Sequence, residues 1–377
     1  IDELEKSIIL NMNNSFLIVL SAVKKEIDQF FIRELYSATP VIVSQKKDDT
    51  GRQLYWSLDY NGDMEILQNQ LQKNLEKKLK LFYPDDMDVS NNFINEIETD
   101  YFVIDETVIK NIYKPREEFS HKGTFGKSIL VGGSYGKMGA ILMSSLSALK
   151  TGSGLTFTIA PECGNVILQS QIPEAMFIGS GGNYIDKIEI QDKAVYGIGP
   201  GLGKEIETQK ALLEFLENYK NPVVLDADAL NILAENQKLN LIPKNSVITP
   251  HPLEFERLFG KTENSFERIE LAKQKAKELQ IFIILKDHHT AVITPEKKVF
   301  YNITGNSGMA KGGSGDVLTG ILTSLISQKY DIEKACIFGV WLHGKAGDFA
   351  AAAYSKEAML PTDLINKIGS AYQYLNT

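Results

Sequence analysis

Apolar positions along this 377-residue chain fall into two regimes. From Lys127 onward, apolar runs of four to six residues are closed by glycine turns. Each is followed by a stretch in which apolar residues recur every three to four positions. Short apolar runs bounded by turn residues read as strands buried on both faces, and the longer periodic stretches read as helices. The pattern predicts strands at Ser128–Val131, Leu155–Ile159, Ala194–Ile198, Val223–Leu225, Val247–Ile248 and Ile281–Leu285. It predicts helices at Gly139–Lys150, Glu205–Tyr219, Leu253–Phe259, Asn264–Leu279, Gly315–Ser327 and Ile332–Ala353. Strand alternating with helix implies an α/β fold, a mostly parallel sheet covered on both faces. Ligands in such folds bind beyond the carboxyl ends of the strands.

The first hundred residues follow a different pattern. Helices expected at Phe16–Leu35 and Met64–Leu81 flank a short strand around Val41–Ser44, and Lys73, Lys77, Lys78 and Lys80 form a solvated face of the second helix. This stretch holds two of the 29 glycines and eighteen acidic against eleven basic side chains, whereas the remainder is glycine-rich and nearly neutral. The break divides the chain into an N-terminal α+β region of unassigned fold, residues 1–100, and an α/β domain, residues 101–377. The expected joint is Asn91–Ser120, around Lys114-Pro115-Arg116.

Composition narrows the function. No apolar stretch reaches the ~18 residues of a transmembrane helix. The run Phe16–Val23 follows acidic rather than basic residues, so no secretory signal is expected and the location is expected to be cytoplasmic. Two cysteines, Cys163 and Cys336, are too few for a disulfide framework or a cysteine-based zinc site. A net charge of −8 without basic runs argues against a nucleic-acid partner.

Chemistry concentrates where the glycines do. In Asn306-Ser307-Gly308-Met309-Ala310-Lys311-Gly312-Gly313-Ser314-Gly315-Asp316, four glycines within eight residues let backbone N–H groups turn inward around an anion. The helix beginning near Gly315 adds its positive end. Asp316 then lies in the first turn, placed to take a proton from a hydroxyl attacking a phosphate held there. Two further glycine loops, Gly132–Ala140 and Gly197–Gly203, follow strands and open helices. Neither has dinucleotide-fold or P-loop spacing. Three such strand ends suggest a large polyanionic ligand or two ligands side by side.

Asp226 and Asp228 point the same way if extended, and either hold a hydrated magnesium ion or order a loop. His251, fixed between Pro250 and Pro252, is a contact candidate. Glu254 either reaches a metal-bound water or caps a helix. Lys286 ends a strand, where it could face a nucleotide phosphate. His288 and His289 are adjacent, so on a strand they face opposite sides and do not share a metal.

These segments, with His121-Lys122-Gly123-Thr124-Phe125-Gly126-Lys127 at the front, occur in an order that resembles the NAD(P)H-hydrate dehydratases of the ribokinase-like superfamily. The resemblance covers about residues 101–377 and implies a three-layer ribokinase-like sandwich. It implies repair of hydrated NADH or NADPH, by phosphorylating the hydrate hydroxyl with ADP or ATP and eliminating phosphate, with Mg2+ as companion. It implies that Ala140, Gly201, Gly203, His251 and Asp316 touch the hydrate. It implies that Lys286, Asp287, His288, His289, Thr290, Gly313, Ser314 and Gly315 touch the nucleotide, and that the chain is a homo-oligomer. Asp316 would be the catalytic base, and Asp226 and Glu254 remain candidates for the metal.

Three residues depart from the family pattern: Asp287 where the family has Gly, Ser307 where it has Pro, and Lys311, which could add a phosphate contact. The glycine- and asparagine-rich signature of the epimerase domain that many members carry is absent. A small-molecule kinase of the same superfamily, releasing its phosphorylated product, is the alternative enzyme. A nucleotide-sensing module is the non-enzymatic alternative, and it has no need of Asp316.

Overall fold

A computed structural model of the chain describes residues 99–376 and, before them, five strands: β1 Ile8–Met12, β2 Ser15–Ser21, β3 Tyr36–Ser37, β4 Val43–Lys47 and β5 Gln53–Trp56. β2 replaces the start of the helix expected from Phe16. Phe16, Ile18 and Val19 are aromatic or β-branched, which favours a ladder, and β2 pairs antiparallel with β1, Ile8 opposite Val19. The strand expected around Val41 is seen from Val43 and pairs with β5. The rest of the first expected helix and all of Met64–Leu81 lie outside the described residues.

The remaining strands form one ten-stranded sheet. They are β6 Tyr101–Ile104, β7 Lys127–Val131, β8 Leu155–Ala160, β9 Met176–Gly179, β10 Val195–Ile198, β11 Val223–Leu225, β12 Val247–Ile248, β13 Phe282–Leu285, β14 Ala291–Ile293 and β15 Val299–Asn302. Their order is β6-β15-β14-β13-β12-β11-β10-β7-β8-β9, parallel from β13 to β9, with β14 antiparallel to both neighbours. The joint expected at Asn91–Ser120 is thus, from Tyr101, an integral part of the fold. Tyr-Phe-Val-Ile pairs with β15 in parallel, and Asp105 caps the helix α1, Glu106–Ile112, by accepting from Val108 N–H.

Alternation within the strands splits the core into two faces. Val223, Leu225, Ile283 and Leu285 pack one way, while Val224, Phe282 and Ile284 pack the other. Further helices in chain order are α2 Met138–Thr151, α3 Asn165–Gln171, α4 Ile206–Asn218, α5 Ala227–Glu235, α6 Pro252–Phe259, α7 Ser265–Leu279, α8 Ser314–Ser327, α9 Ile332–Tyr354 and α10 Pro361–Leu375. α4 to α7 cover the first face, and α1 with α8 to α10 cover the second. α8 is the most enclosed because it lies tight on α2. A Cβ on Gly320 would overlap the Ser144 carbonyl and the Ser147 hydroxyl, so only glycine allows this approach. Ser144 and Ser147 in turn donate to the carbonyls of Asp316 and Val317, at 2.8 and 3.0 Å. Helix α2 therefore grips α8 at the turn that carries Asp316.

Candidate active site

The parallel strands β7, β10, β11, β12 and β13 end on one edge, and their following loops meet there. Gly133 N–H donates to the Pro200 carbonyl at 2.8 Å and Ser134 Oγ to the Gly201 carbonyl at 2.9 Å, which ties the first two glycine loops together. Gly201 has φ +61°, the left-handed region, and a Cβ there would sit 3.0 Å from the Cβ of Ala140. Ala140 and Gly201 are thus neighbours. Gly203 N–H donates to Asp228 Oδ2 at 2.9 Å, and Lys137 Nζ is 3.8 Å from the same oxygen.

Asp226 lies at the centre of the edge and is buried. Its Oδ1 accepts from Lys286 Nζ at 2.7 Å and its Oδ2 from Thr319 Oγ1 on α8 at 2.9 Å. Burial works to raise its pKa, but the Lys286 charge and these hydrogen bonds outweigh it and hold the carboxyl below its ordinary value. For Lys286, burial works to lower the pKa, and the charges of Asp226, Glu254 and Asp316 override it and raise it. Both ions stay charged. The extended run expected at Asp226–Asp228 is not present. Asp226 precedes α5, and Ala227 takes φ +49°, so the chain turns there and Asp228 faces Gly203 and Lys137 instead.

Glu254 is the second carboxylate. Its Oε2 accepts from His251 N–H at 2.9 Å and lies 3.8 Å from Lys286 Nζ. His251 Nδ1 accepts from the N–H groups of Leu253 and Glu254, at 3.2 and 3.3 Å, completing a capping box at the start of α6. His251 Nε2 is 3.3 Å from Glu254 Oε1, and the ring is partly open to solvent. Glu254 therefore caps the helix, one of the two roles open to it. Among the described residues no group of three or more His, Cys, Asp or Glu is placed to hold a metal ion. Asp226 and Glu254, the metal candidates, share a lysine.

The glycine-rich turn expected to hold an anion lies above this pair. Gly313, at φ +106°, precedes α8, and a Cβ on Gly315 would sit 3.4 Å from Lys286 Nζ and 3.6 Å from Asp226 Oδ2. Lys286 and the helix end thus face the same space. Asp316 follows in the first turn. Burial pushes its pKa up, the negative charges of Asp226, Asp228 and Glu254 add to this, Lys286 opposes it, and the result is about 7. A carboxylate there is a proton acceptor near neutrality. His343, on α9, donates from Nε2 to the Ser314 carbonyl at 2.8 Å. Burial lowers its pKa to about 4, so it is neutral.

Residues 286–290 form a turn between β13 and β14. That corrects the reason for setting the two histidines apart, because His288 and His289 lie edge to face with ring centroids 4.5 Å apart. Asp287 turns away from Lys286 to Arg268 on α7, Oδ2 to Nη1 3.4 Å. Lys311 does not reach the phosphate site, since its Nζ donates to the carbonyls of Glu357 and Met359 at 2.6 Å each. Ser307 opens a short 3-10 turn capped by Asn306. The segment His121–Lys127 lies at the amino end of β7, across the sheet from the glycine loops. Thr319, Ser144, Arg268, His343 and Asp348 were not legible as site residues. Each acts across at least nineteen positions of sequence, and no local spacing marks them.

A sequence model described as NAD(P)H-hydrate dehydratase matches residues 128–370. The bifunctional NAD(P)H-hydrate repair enzyme of Moorella thermoacetica is 38% identical over 266 residues, covering 67% of this chain and 50% of that protein. The ADP-dependent (S)-NAD(P)H-hydrate dehydratase of Neisseria meningitidis is 37% identical over 251 residues, covering 63% of this chain and 81% of that one. The chain spans about half the length of the bifunctional relatives it matches. Among solved structures, the Bacillus subtilis ADP/ATP-dependent NAD(P)H-hydrate dehydratase co-crystallised with ATP/Mg2+ is 28% identical with a TM-score of 0.64, covering 72% of this chain and 97% of that one. A ribokinase-like protein of Enterococcus faecalis gives a TM-score of 0.64 at 27% identity, covering 74% and 98%. The match spans well over half the chain and includes every glycine-lined strand end of the site, and this chain belongs to the NAD(P)H-hydrate dehydratase family.

Proposed function

We propose that the chain dehydrates the hydrates of NADH and NADPH back to the dihydronicotinamides, at the expense of ADP or ATP, and that residues 101–377 carry the activity. One observation carries the reading: a carboxylate, Asp316, with its pKa pushed up to about 7 in the first turn of a helix that begins at left-handed Gly313, beside the Lys286 ammonium. The donor set fits a phosphate chain. Gly312 has open space where a Cβ would be, Gly313 is left-handed, and the Lys286 ammonium lies beneath Gly315. A magnesium ion fits as a companion of the phosphates, the way this ion usually binds, since both Asp226 oxygens are already engaged.

The nucleotide supplies its terminal phosphoryl group, the bridging P–O bond breaking with its electron pair left on AMP if the donor is ADP, or on ADP if it is ATP. Asp316 takes the proton of the hydrate hydroxyl as that oxygen bonds to phosphorus. The nest and Lys286 hold the negative charge that develops on the phosphoryl oxygens. The C–O bond then breaks with its electron pair going to phosphate, a proton leaves the neighbouring ring carbon, and the double bond reforms. Hydroxide is a poor leaving group and phosphate a good one, which is why a base beside a phosphate nest serves a dehydration. Ala140, Gly201, Gly203 and His251 line the hydrate side, and residues 286–290 with 313–315 line the nucleotide side.

No described helix is long and apolar enough to cross a membrane. The reading places the enzyme in the cytoplasm, in keeping with the free thiols Cys163 and Cys336. Homo-oligomeric assembly belongs to the same reading, and light scattering on the purified chain tests it. The activity is tested by incubating the chain with NADH hydrate and ADP and following the near-ultraviolet absorbance of the dihydronicotinamide. Recovery that needs ADP supports the reading. A phosphorylated hydrate accumulating without recovery overturns it.

A further inference from the structure

The loop between β15 and α8 carries the nest, and one stripe of α9 holds it at almost every step. Asn302 Nδ2 donates to the Val340 carbonyl at 3.1 Å, and Thr304 Oγ1 to the Trp341 carbonyl at 3.1 Å. Gly305 N–H and Asn306 Nδ2 donate to the two carboxylate oxygens of Asp348, at 3.1 and 2.9 Å. Asn306 Oδ1 then accepts from Gly308 N–H at 3.0 Å. His343 carries the far end of the loop through Ser314. Side chains on Gly344 and Gly347 would overlap Thr304 and Met309, so the helix is cut to fit the loop.

We propose that Asp348 is a positioning residue for the phosphate nest. By accepting from both donors of the Gly305-Asn306 turn, it sets where the segment 307–313 places Gly312 and Gly313 and where Asp316 stands. An amide in its place offers one acceptor to two donors. The bond from Asn306 has a polarity that can be reversed. With Asn306→Asp and Asp348→Asn together, residue 306 accepts from Gly308 N–H and from the new amide, and residue 348 still accepts from Gly305 N–H. All three hydrogen bonds survive. Each single change breaks the set, the first by facing two carboxylates, the second by facing a donor with a donor.

The proposal rests on the phosphoryl-transfer reading for its kinetic arm and on ADP binding alone for its other arm. Wild type, N306D, D348N and N306D/D348N are compared for kcat and KM with NADH hydrate and ADP, for ADP affinity by calorimetry, and for thermal midpoint. Each single variant is expected to lose at least about tenfold in kcat per folded molecule and to bind ADP more weakly, and the double to return within about threefold of wild type. Singles that match wild type in both readouts, or losses that only follow the unfolded fraction, overturn the proposal. So does a double variant as impaired as the two singles combined. If a single does not fold, the double decides by its ADP affinity, within about threefold for and no binding against. A wild type that binds ADP but does not turn over the hydrate refutes the proposed function, and the ADP titrations still decide Asp348.

Discussion

The ammonium of Lys286 and the carboxylate of Asp226 lie 2.7 Å apart, beneath the first turn of the helix that carries Asp316. The pair is nearly enclosed, with side-chain exposures of 22% and 2%. Lys286 is shared with Glu254, so the field at Asp316 comes from three carboxylates, Asp226, Asp228 and Glu254, against one lysine. Burial and that imbalance together push the pKa of the Asp316 carboxyl up to about 7, the range in which the proposed general base works.

The first consequence is a pH profile. Asp316 must be deprotonated to accept a proton, so kcat/KM should fall about tenfold per pH unit below about 7. His343, neutral above about 4, adds no limb of its own in that range. A rate profile measured across the range checks this, and a flat acid side contradicts the assignment.

The same shift costs stability. The folded-state pKa of about 7 lies above the ordinary 3.8, so the folded chain binds more protons between these values and loses stability as pH rises through them. Asp316→Asn removes the charge. It should raise the thermal midpoint near pH 8 and leave it unchanged near pH 4, where the wild-type carboxyl is protonated. Asp316 is partly exposed, so the gain should be about 1–2 kcal/mol, less than the full shift would give. Thermal melts of both proteins at the two pH values test the sign.

Lys286→Ala should raise KM for ADP more than it lowers kcat, because the proposed function has the ammonium facing phosphate from binding onward. It should also destabilise the fold by about 3 kcal/mol by leaving Asp226 buried and unpaired. Adding Asp226→Asn should recover much of the stability and none of the ADP affinity. Melts and titrations on the single and double variants separate the two effects.

Asp287 looked like a carboxylate set against phosphates. Its contact with Arg268 removes that expectation, and Asp287→Gly should change ADP affinity by less than about 0.5 kcal/mol at low or high salt. Titrations at two ionic strengths check it. A gain confined to low salt would show that the carboxylate does reach the phosphates.

What was readable in the chain was what is local in it. The glycine loops at Gly132, Gly199 and Gly312, the Pro-fixed His251 and the helix-start Asp316 each announce themselves within a dozen residues, and the parallel sheet brings them to one edge. Asp226-Ala227-Asp228 was misread because an alanine at φ +49° has no sequence mark, and that one backbone turn sends the two carboxylates to different partners. The strands Tyr101–Ile104 and Val299–Asn302 were hidden because a short edge strand finds its neighbour in the sheet across almost two hundred residues. Asp348 and His343 sit in a largely apolar helix, and their partners lie on the loop packed against it, which no local pattern reveals.

In the proposed mechanism Asp316 starts a phosphoryl transfer that ends in dehydration. The decisive comparison gives NADH hydrate and ADP to wild type and to Asp316→Asn, with ADP binding confirmed within about tenfold for both. Wild type is expected to restore the dihydronicotinamide absorbance, with one AMP formed per molecule recovered, and the variant to be slower by about a hundred- to ten-thousandfold. An Asp316→Asn enzyme that restores the absorbance at the wild-type rate would contradict this mechanism.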